Sequence, residues 1–293
     1  MLDPLMLELV SATTPDGMTL QGAFLAADDA QRAQKQINLD AAILLHGAGT
    51  NFYSVSFYKK LTPCLLDLGL DVFWTNNRGH DGMYGAMQGG RYTMQGAAFE
   101  HVGSAHHDIM GWLDAAAQRK LRRILVIGHS LGAIKTLLSQ AYHPNQRVAA
   151  IVACSPPCLS YERFVKSEKK DAFLNSLEAA RQEIAQHKPQ QVLQVDFPFP
   201  MLIAAENYLD KYGPDENYNI LRFTGLIKVP TLFTFGEREL ADNVSFYKLD
   251  QQVSELVANQ ENFQVQVIPG ADHFYTGVNE LLSEAVADWL RRQ

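Results

Sequence analysis

The sequence predicts an α/β fold with a mostly parallel central sheet flanked by helices and one inserted helical segment. Three observations carry this. Short apolar, β-favouring runs alternate with helical runs through most of the 293 residues, as in strand–helix–strand units. One such run, Ile124-Leu125-Val126-Ile127, enters Gly128-His129-Ser130-Leu131-Gly132 and leaves through Ala133-Ile134-Lys135-Thr136-Leu137-Leu138. That order is strand, sharp turn, helix. The alternation then stops at Ser155-Pro156-Pro157 and resumes only at Pro230-Thr231-Leu232-Phe233.

The elements follow in order. Leu5 to Ala12 and Met18 to Leu25 read as an antiparallel hairpin joined by Thr14-Pro15-Asp16-Gly17, a turn sequence with Pro and Gly where each suits the backbone. Ala27 to Leu39 is polar and Gln-rich and reads as a surface connection. Ala41 to Leu45 is a short buried strand ending at His46-Gly47-Ala48-Gly49. A helix follows from about Ser56 to Leu68 and breaks at Gly69, and Leu70 to Thr75 is the next strand. Asn76 to Gly96 reads as a long glycine-rich loop. Ser104 to Gln118 is helical, with Ile109, Trp112, Leu113 and Ala116 as its apolar positions. The strand–turn–helix unit runs to about Tyr142, and Val148 to Cys154 is another strand.

From there to about Leu226 the pattern is mainly helical. Phe164, Val165, Phe173, Leu174, Leu177 and Ile184 recur at roughly helical spacing beside charged residues. Phe197-Pro198-Phe199-Pro200-Met201 is aromatic and rigid. The strand Pro230 to Phe235, a helix around Phe246 to Ala258, the strand Phe263 to Ile268 and a helix around Asn279 to Leu290 complete the chain. The expected organisation is one core, residues 1–155 and 226–293, with a helical cap at 156–225.

Composition excludes several classes of function. A hydrophobic share of 47% supports a deep core and rules out general disorder. A net charge of -7 argues against nucleic acid or an anionic membrane as the main partner. Met1-Leu2-Asp3-Pro4-Leu5 lacks the basic and apolar regions of a secretory signal. No apolar run is long enough for a membrane span. Cys64, Cys154 and Cys158 stand at no metal or redox spacing and read as free thiols in a reducing cytoplasm.

Chemistry centres on Ser130. In a strand–turn–helix of the form G-x-S-x-G the serine backbone is strained, and Gly128 and Gly132 leave room where strand and helix nearly collide. The turn presents the hydroxyl, which needs a base to become a good nucleophile. His273, in Gly270-Ala271-Asp272-His273-Phe274 after the last strand, is best placed. A carboxylate must hold that imidazole and is expected between serine and histidine in chain order, on a loop after a strand. Three compete in Gly236-Glu237-Arg238-Glu239-Leu240-Ala241-Asp242: Glu239 is the first choice, Asp242 the second and Glu237 the third. The Leu131 amide and the Ala48 amide are the expected oxyanion donors, with Gly47 and Gly49 turning the second one inward. A dinucleotide site at Gly47-Ala48-Gly49 fails because its third glycine would be Phe52. His101, His106, His107 and Asp108 lack the i, i+4 histidine pair of a helical zinc motif, so no metal is expected.

With these motifs in view, the sequence resembles the α/β-hydrolase superfamily. The resemblance rests on His46-Gly47, Arg78-Gly79-His80, Gly128-His129-Ser130-Leu131-Gly132, Gly236-Glu237-Arg238-Glu239 and Gly270-Ala271-Asp272-His273, and spans the core on both sides of the insertion. Two departures stand out. The family's D-x-R-G-x-G loop reads Asn76-Asn77-Arg78-Gly79-His80-Asp81, and the acid, usually Asp, is matched by Glu239. A serine at the elbow implies the esterase- and lipase-like branch rather than dehalogenases or epoxide hydrolases.

The resemblance implies a cofactor-free serine hydrolase acting on a small-molecule carboxylic ester through an acyl-enzyme. A C–C bond hydrolase, an acyltransferase or thioesterase, and a non-catalytic ligand receptor are the alternatives. Phe197, Phe199, Met201 and Tyr208 are the candidates for a roof over the cleft, the alternative being that they only anchor the cap. A monomer and a homodimer are both compatible with the sequence.

Overall fold

The computed structural model of the protein describes residues 6–293. Met1 to Leu5, which carry the reading of a missing signal and the start of the expected first strand, lie outside the described residues.

In chain order, β1 (Glu8–Thr13) and β2 (Thr19–Leu25) form the expected antiparallel hairpin. A short helix α1 (Asp29–Ala33) follows, then β3 (Ala41–Leu45), α2 (Tyr58–Asp67) and β4 (Asp71–Thr75). A second hairpin, β5 (Tyr84–Gln88) with β6 (Arg91–Gln95), precedes α3 (Ala105–Gln118). The elbow strand β7 (Ile124–His129), its helix α4 (Leu131–Tyr142) and β8 (Val148–Cys154) come next. Between β8 and the next sheet strand lie α5 (Tyr161–Val165), α6 (Lys170–Ala185), a two-stranded ribbon of β9 (Val192–Val195) and β10 (Met201–Ala204), and α7 (Ala205–Tyr212). The chain closes with β11 (Thr231–Gly236), α8 (Glu237–Asp242), α9 (Leu249–Leu256), β12 (Phe263–Ile268) and α10 (Asn279–Leu290).

Eight strands make one sheet in the order β1-β2-β4-β3-β7-β8-β11-β12. β1 and β2 run antiparallel, and every pair from β4 to β12 is parallel. β3, β4 and β7 are buried at every residue, because helices cover both faces of a parallel sheet. Along β7, Ile124 and Val126 pack with Trp112 and Ile134 on one face. Leu125 and Ile127 pack with Leu61, Leu65 and Trp289 on the other.

The strand order positions the site. From β3 the chain winds one way to β4, and β7 lies on the other side of β3. The crevice beyond the carboxyl ends of β3 and β7 is therefore the sheet's switch point, where open α/β sheets place ligands. His46-Gly47-Ala48 follows β3 and Ser130 follows β7.

Four stretches differ from the sequence reading. The expected loop 76–96 contains β5 and β6, turned by Gly89 and Gly90 at φ 54 and 82, the positive-φ pair of a tight hairpin. The connection 27–39 contains α1, started by an Asp28–Gln31 capping box. The inserted segment carries the β9–β10 ribbon besides its helices, and the acid loop forms the short helix α8.

Candidate active site

The elbow geometry follows from its residues. Ser130 has φ 55 and ψ -123, a conformation costly for any residue with a side chain. Its N–H donates to the Cys154 carbonyl at 2.9 Å, tying the turn to β8. A Cβ at Gly132 would lie 2.5 Å from the carbonyl oxygens of both Leu45 and His46, and one at Gly128 would lie 2.6 Å from the Ala133 Cα. Both contacts are with backbone that cannot swing away, so each position excludes a side chain.

The structure brings three of the expected side chains into line. Ser130 Oγ is 3.0 Å from His273 Nε2. His273 Nδ1 is 2.7 Å from Glu239 Oε2. Glu239 is buried in the first turn of α8, and its other oxygen accepts from the Gly236 N–H at 2.7 Å and the Ser155 hydroxyl at 2.6 Å. Asp242, at the exposed end of the same helix, is not part of this line. Glu237 instead accepts from the Gly270 N–H at 2.8 Å, bracing the start of the histidine loop.

Three supporting residues escaped sequence reasoning. Ser155, at φ 48, sits at the end of β8 with its oxygen 2.8 Å from the buried Tyr275 hydroxyl, itself at φ 56. Burial pushes the Tyr275 hydroxyl well up, so it stays protonated. His129 donates from Nε2 to the His273 carbonyl at 2.8 Å, and burial brings its imidazole down to about 3. It is thus a neutral donor that holds the His273 backbone. Its place in the elbow motif was visible in the sequence, but its partner, 144 residues away, was not.

The Ala48 loop lies against the same serine. A Cβ at Gly47 would come within 3.0 Å of the Ser130 Cβ. Among the described residues, neither the Ala48 nor the Leu131 amide donates a hydrogen bond within the protein. Two free N–H groups beside a serine suit an incoming anion.

The four roof candidates separate. Phe197 and Tyr208 have no exposed surface. Phe197 packs on Phe164 and Phe173, each 4.9 Å between ring centroids, and the Tyr208 hydroxyl donates to the Phe197 carbonyl at 3.2 Å. These two build the interior of the inserted segment, the packing of an anchor rather than of a roof. Apolar rings flanking a helix and a ribbon bury one another before they line a cleft. Met201 is partly buried on β10, and Phe199 is 52% exposed. Around His273, the Phe246 and Phe274 rings lie 5.1 and 5.0 Å from the imidazole, an apolar flank the sequence did not single out.

Among the described residues, no three His, Cys, Asp or Glu side chains are grouped to hold a metal, and no helix is long and apolar enough to cross a membrane. His106 stacks on His143 instead, at 3.9 Å between centroids.

Residues 42–288 match the sequence model of the alpha/beta hydrolase family. The chain belongs to the alpha/beta hydrolase family. The solved structures it resembles share that fold. DcsB, solved in complex with its substrate analogue, superposes with a TM-score of 0.68 at 16% identity, covering 98% of this chain and 99% of the other. Est1E from Butyrivibrio proteoclasticus, with ferulic acid bound, gives 0.66 at 16% over 97% and 98%. An esterase of Pyrococcus furiosus gives 0.59 at 20% over 98% and 93%. A search of curated protein sequences returns no match.

Asp81 and Glu239, two positions that depart from the pattern of the alpha/beta hydrolase family, each have a local structural account. Asp81 takes φ 56 where the family pattern has glycine, and its carboxylate bonds His80 Nδ1 and Asn51 Nδ2, each at 2.8 Å. Aspartate tolerates this backbone region better than most residues. Glu239 is one methylene longer than the usual Asp. That length lets one carboxylate cap the start of α8 through Gly236 and still reach His273.

Proposed function

We propose that the protein is a serine hydrolase of carboxylic esters. The observation that carries this reading is the unbroken line Glu239–His273–Ser130, with spacings of 2.7 and 3.0 Å, beside two free backbone amides. His273 takes the Ser130 proton as Oγ attacks the ester carbonyl. The Ala48 and Leu131 amides hold the developing oxyanion. Glu239 keeps the imidazole proton on Nδ1 and stabilises the imidazolium. His273 then protonates the leaving alcohol, and the acyl group stays on Ser130 as an ester. In the second half His273 takes a proton from water as it attacks that ester, then returns the proton to Ser130 Oγ as the acid leaves. Besides the ester and water, no group outside the chain enters this scheme. The esterases among the structural neighbours support the reaction class.

Residues 156–225 act in this reading as a cap whose aromatic interior gives it rigidity and whose exposed Phe199 faces the ligand. Phe246 and Phe274 add apolar surface beside His273, which suits a partly apolar, small to medium-sized ester.

The test is pre-steady-state hydrolysis of a chromogenic ester. Wild-type protein should release a burst of alcohol stoichiometric with enzyme, and Ser130→Ala should lower kcat by about 10⁶-fold with unchanged circular dichroism. Full activity in Ser130→Ala would end the proposal.

A further inference from the structure

Behind the elbow lies a buried charged cluster that acyl transfer does not use. Lys135, on α4, is completely buried. Its Nζ donates to Glu100 Oε2 at 2.5 Å and to Asn77 Oδ1 at 2.6 Å. Lys211, on α7, donates to Glu100 Oε1 at 3.3 Å and to the Ala97 carbonyl at 2.9 Å. Two ammoniums thus share one carboxylate. Burial would raise the Glu100 carboxyl, but Lys135 and Lys211 outweigh it and bring it down to about 2. Burial pulls the Lys211 ammonium down, as expected where positive charge is in excess.

Neutralising Glu100 needs only one lysine, so the second calls for another explanation. Beyond Glu100 the two lysines have different partners: Lys211 bonds the Ala97 carbonyl, whereas Lys135 bonds Asn77. The Asn77 N–H donates to His46 Nε2 at 3.2 Å, and its side-chain amide donates to the His46 carbonyl at 3.1 Å. With Nε2 accepting, the His46 proton sits on Nδ1, which donates to the Gly47 carbonyl at 2.7 Å. Burial brings this imidazole down to about 3, so the tautomer is the neutral one. The Gly47 carbonyl and the Ala48 N–H are opposite ends of a single planar peptide. A bond that fixes the carbonyl therefore aims the amide the other way, and Gly47 itself packs on Ser130.

We infer that Lys135 is a positioning residue for the Ala48 amide, acting through Asn77 and His46, so that the elbow helix and the oxyanion loop are set by one hydrogen-bonded relay. Ser130 begins α4 and Lys135 lies on its second turn. The element that presents the nucleophile thereby also aims the amide expected to receive the negative charge. The inference rests on the reading in which Ala48 is an oxyanion donor.

Lys135→Met and Lys211→Met remove the same charge and each leaves one buried, balanced lysine–glutamate pair, so both should fold. Only the first cuts the relay. Active sites are titrated with a fluorophosphonate, and kcat, KM and the affinity of a trifluoromethyl ketone, which forms an oxyanion on Ser130, are measured. Lys135→Met should lose roughly 10- to 100-fold in kcat, the range expected when a reacting group is misplaced by up to about 1 Å. KM should hold within about twofold, and the ketone should weaken in proportion to kcat. Lys211→Met should keep wild-type kcat and ketone affinity. Asn77→Ala, which leaves all three charges in place, should reproduce the Lys135→Met loss and stands in for it if that variant does not fold. Equal losses in the two lysine variants, or wild-type kcat in Asn77→Ala, overturn the inference. Failure of wild-type Ser130 to react with the fluorophosphonate would instead overturn the serine hydrolase reading, and this inference with it.

Discussion

Glu239 and Glu100 are both buried, and each stands one bonded partner from the elbow unit, Glu239 through His273 and Glu100 through Lys135. Their surroundings differ. Glu239 is held by an N–H and a hydroxyl, and its remaining contact is an imidazole that is partly open to solvent. Glu100 lies between two ammoniums and is sealed. A Cβ at Gly79 would overlap its carboxylate, so even the backbone above it closes in. A carboxylate held by neutral donors keeps its field for a partner that gains charge during a reaction. One saturated by ammoniums spends its field on structure. Burial alone does not separate a reactive acid from a structural one; the charge state of its neighbours does.

This contrast can be broken most sharply by neutralising each acid in turn. Glu239→Gln should lower kcat by about 10⁴-fold, the scale seen when the carboxylate behind a catalytic histidine is lost, with the fold intact. Asp242→Asn, at the exposed end of α8, should leave kcat near wild type. A crippled Asp242→Asn beside an active Glu239→Gln would reverse the assignment.

Glu100→Gln leaves two buried ammoniums with no carboxylate. It should cost about 3–5 kcal/mol of stability, the usual penalty for breaking a buried ion pair, read as a lower urea midpoint. Glu239→Gln should move that midpoint far less, since its neighbours carry no fixed charge. Equal shifts in the two variants would erase the distinction drawn between them.

A further test is acid. His46 and His129 are held neutral by burial at about 3, against an ordinary value of 6.5. The unfolded chain therefore binds protons below pH 6.5 that the folded chain refuses, and stability falls as pH drops through that window. Each histidine contributes about 1.4 kcal/mol per pH unit there. Glu100, lowered from 4.5 to about 2, is stabilising above its unfolded value and adds a loss of the same sign as pH falls below 4.5. Urea midpoints should be level from pH 8 to 7 and decline steadily below about pH 6, before the carboxylates titrate. A flat profile down to pH 4.5 would show that the two imidazoles are not sealed.

Much of the architecture was legible because its strands are covered on both faces. β3 and β8 are short unbroken apolar runs, β4 and β7 have apolar centres, and such runs need no partner to be recognised. The β5–β6 hairpin was missed for the opposite reason. Its residues lie at the surface and carry Gly, Gln and Met, so no hydrophobic alternation marks it, although Gly89-Gly90 was a turn signal. α1 and α8, of five and six residues, are too short to show a helical period. Lys135 did leave a trace, as a charge inside the apolar run Ala133 to Leu138, where an unpaired lysine does not belong.

By itself the sequence determined the fold class, the elbow and the candidates for each role, because these depend on local pattern: a strand, a tight turn with two glycines, a histidine after the last strand. Tertiary structure decided which of Glu237, Glu239 and Asp242 meets His273, since the three stand within one short helix and only its packing against Gly236 and Ser155 turns one of them inward. It also placed Phe197 and Tyr208 in an interior rather than over a cleft, and joined Lys135 to Glu100 and Asn77, 35 and 58 residues away. Those choices depend on contacts between distant segments, and such contacts leave no periodicity in the chain that makes them.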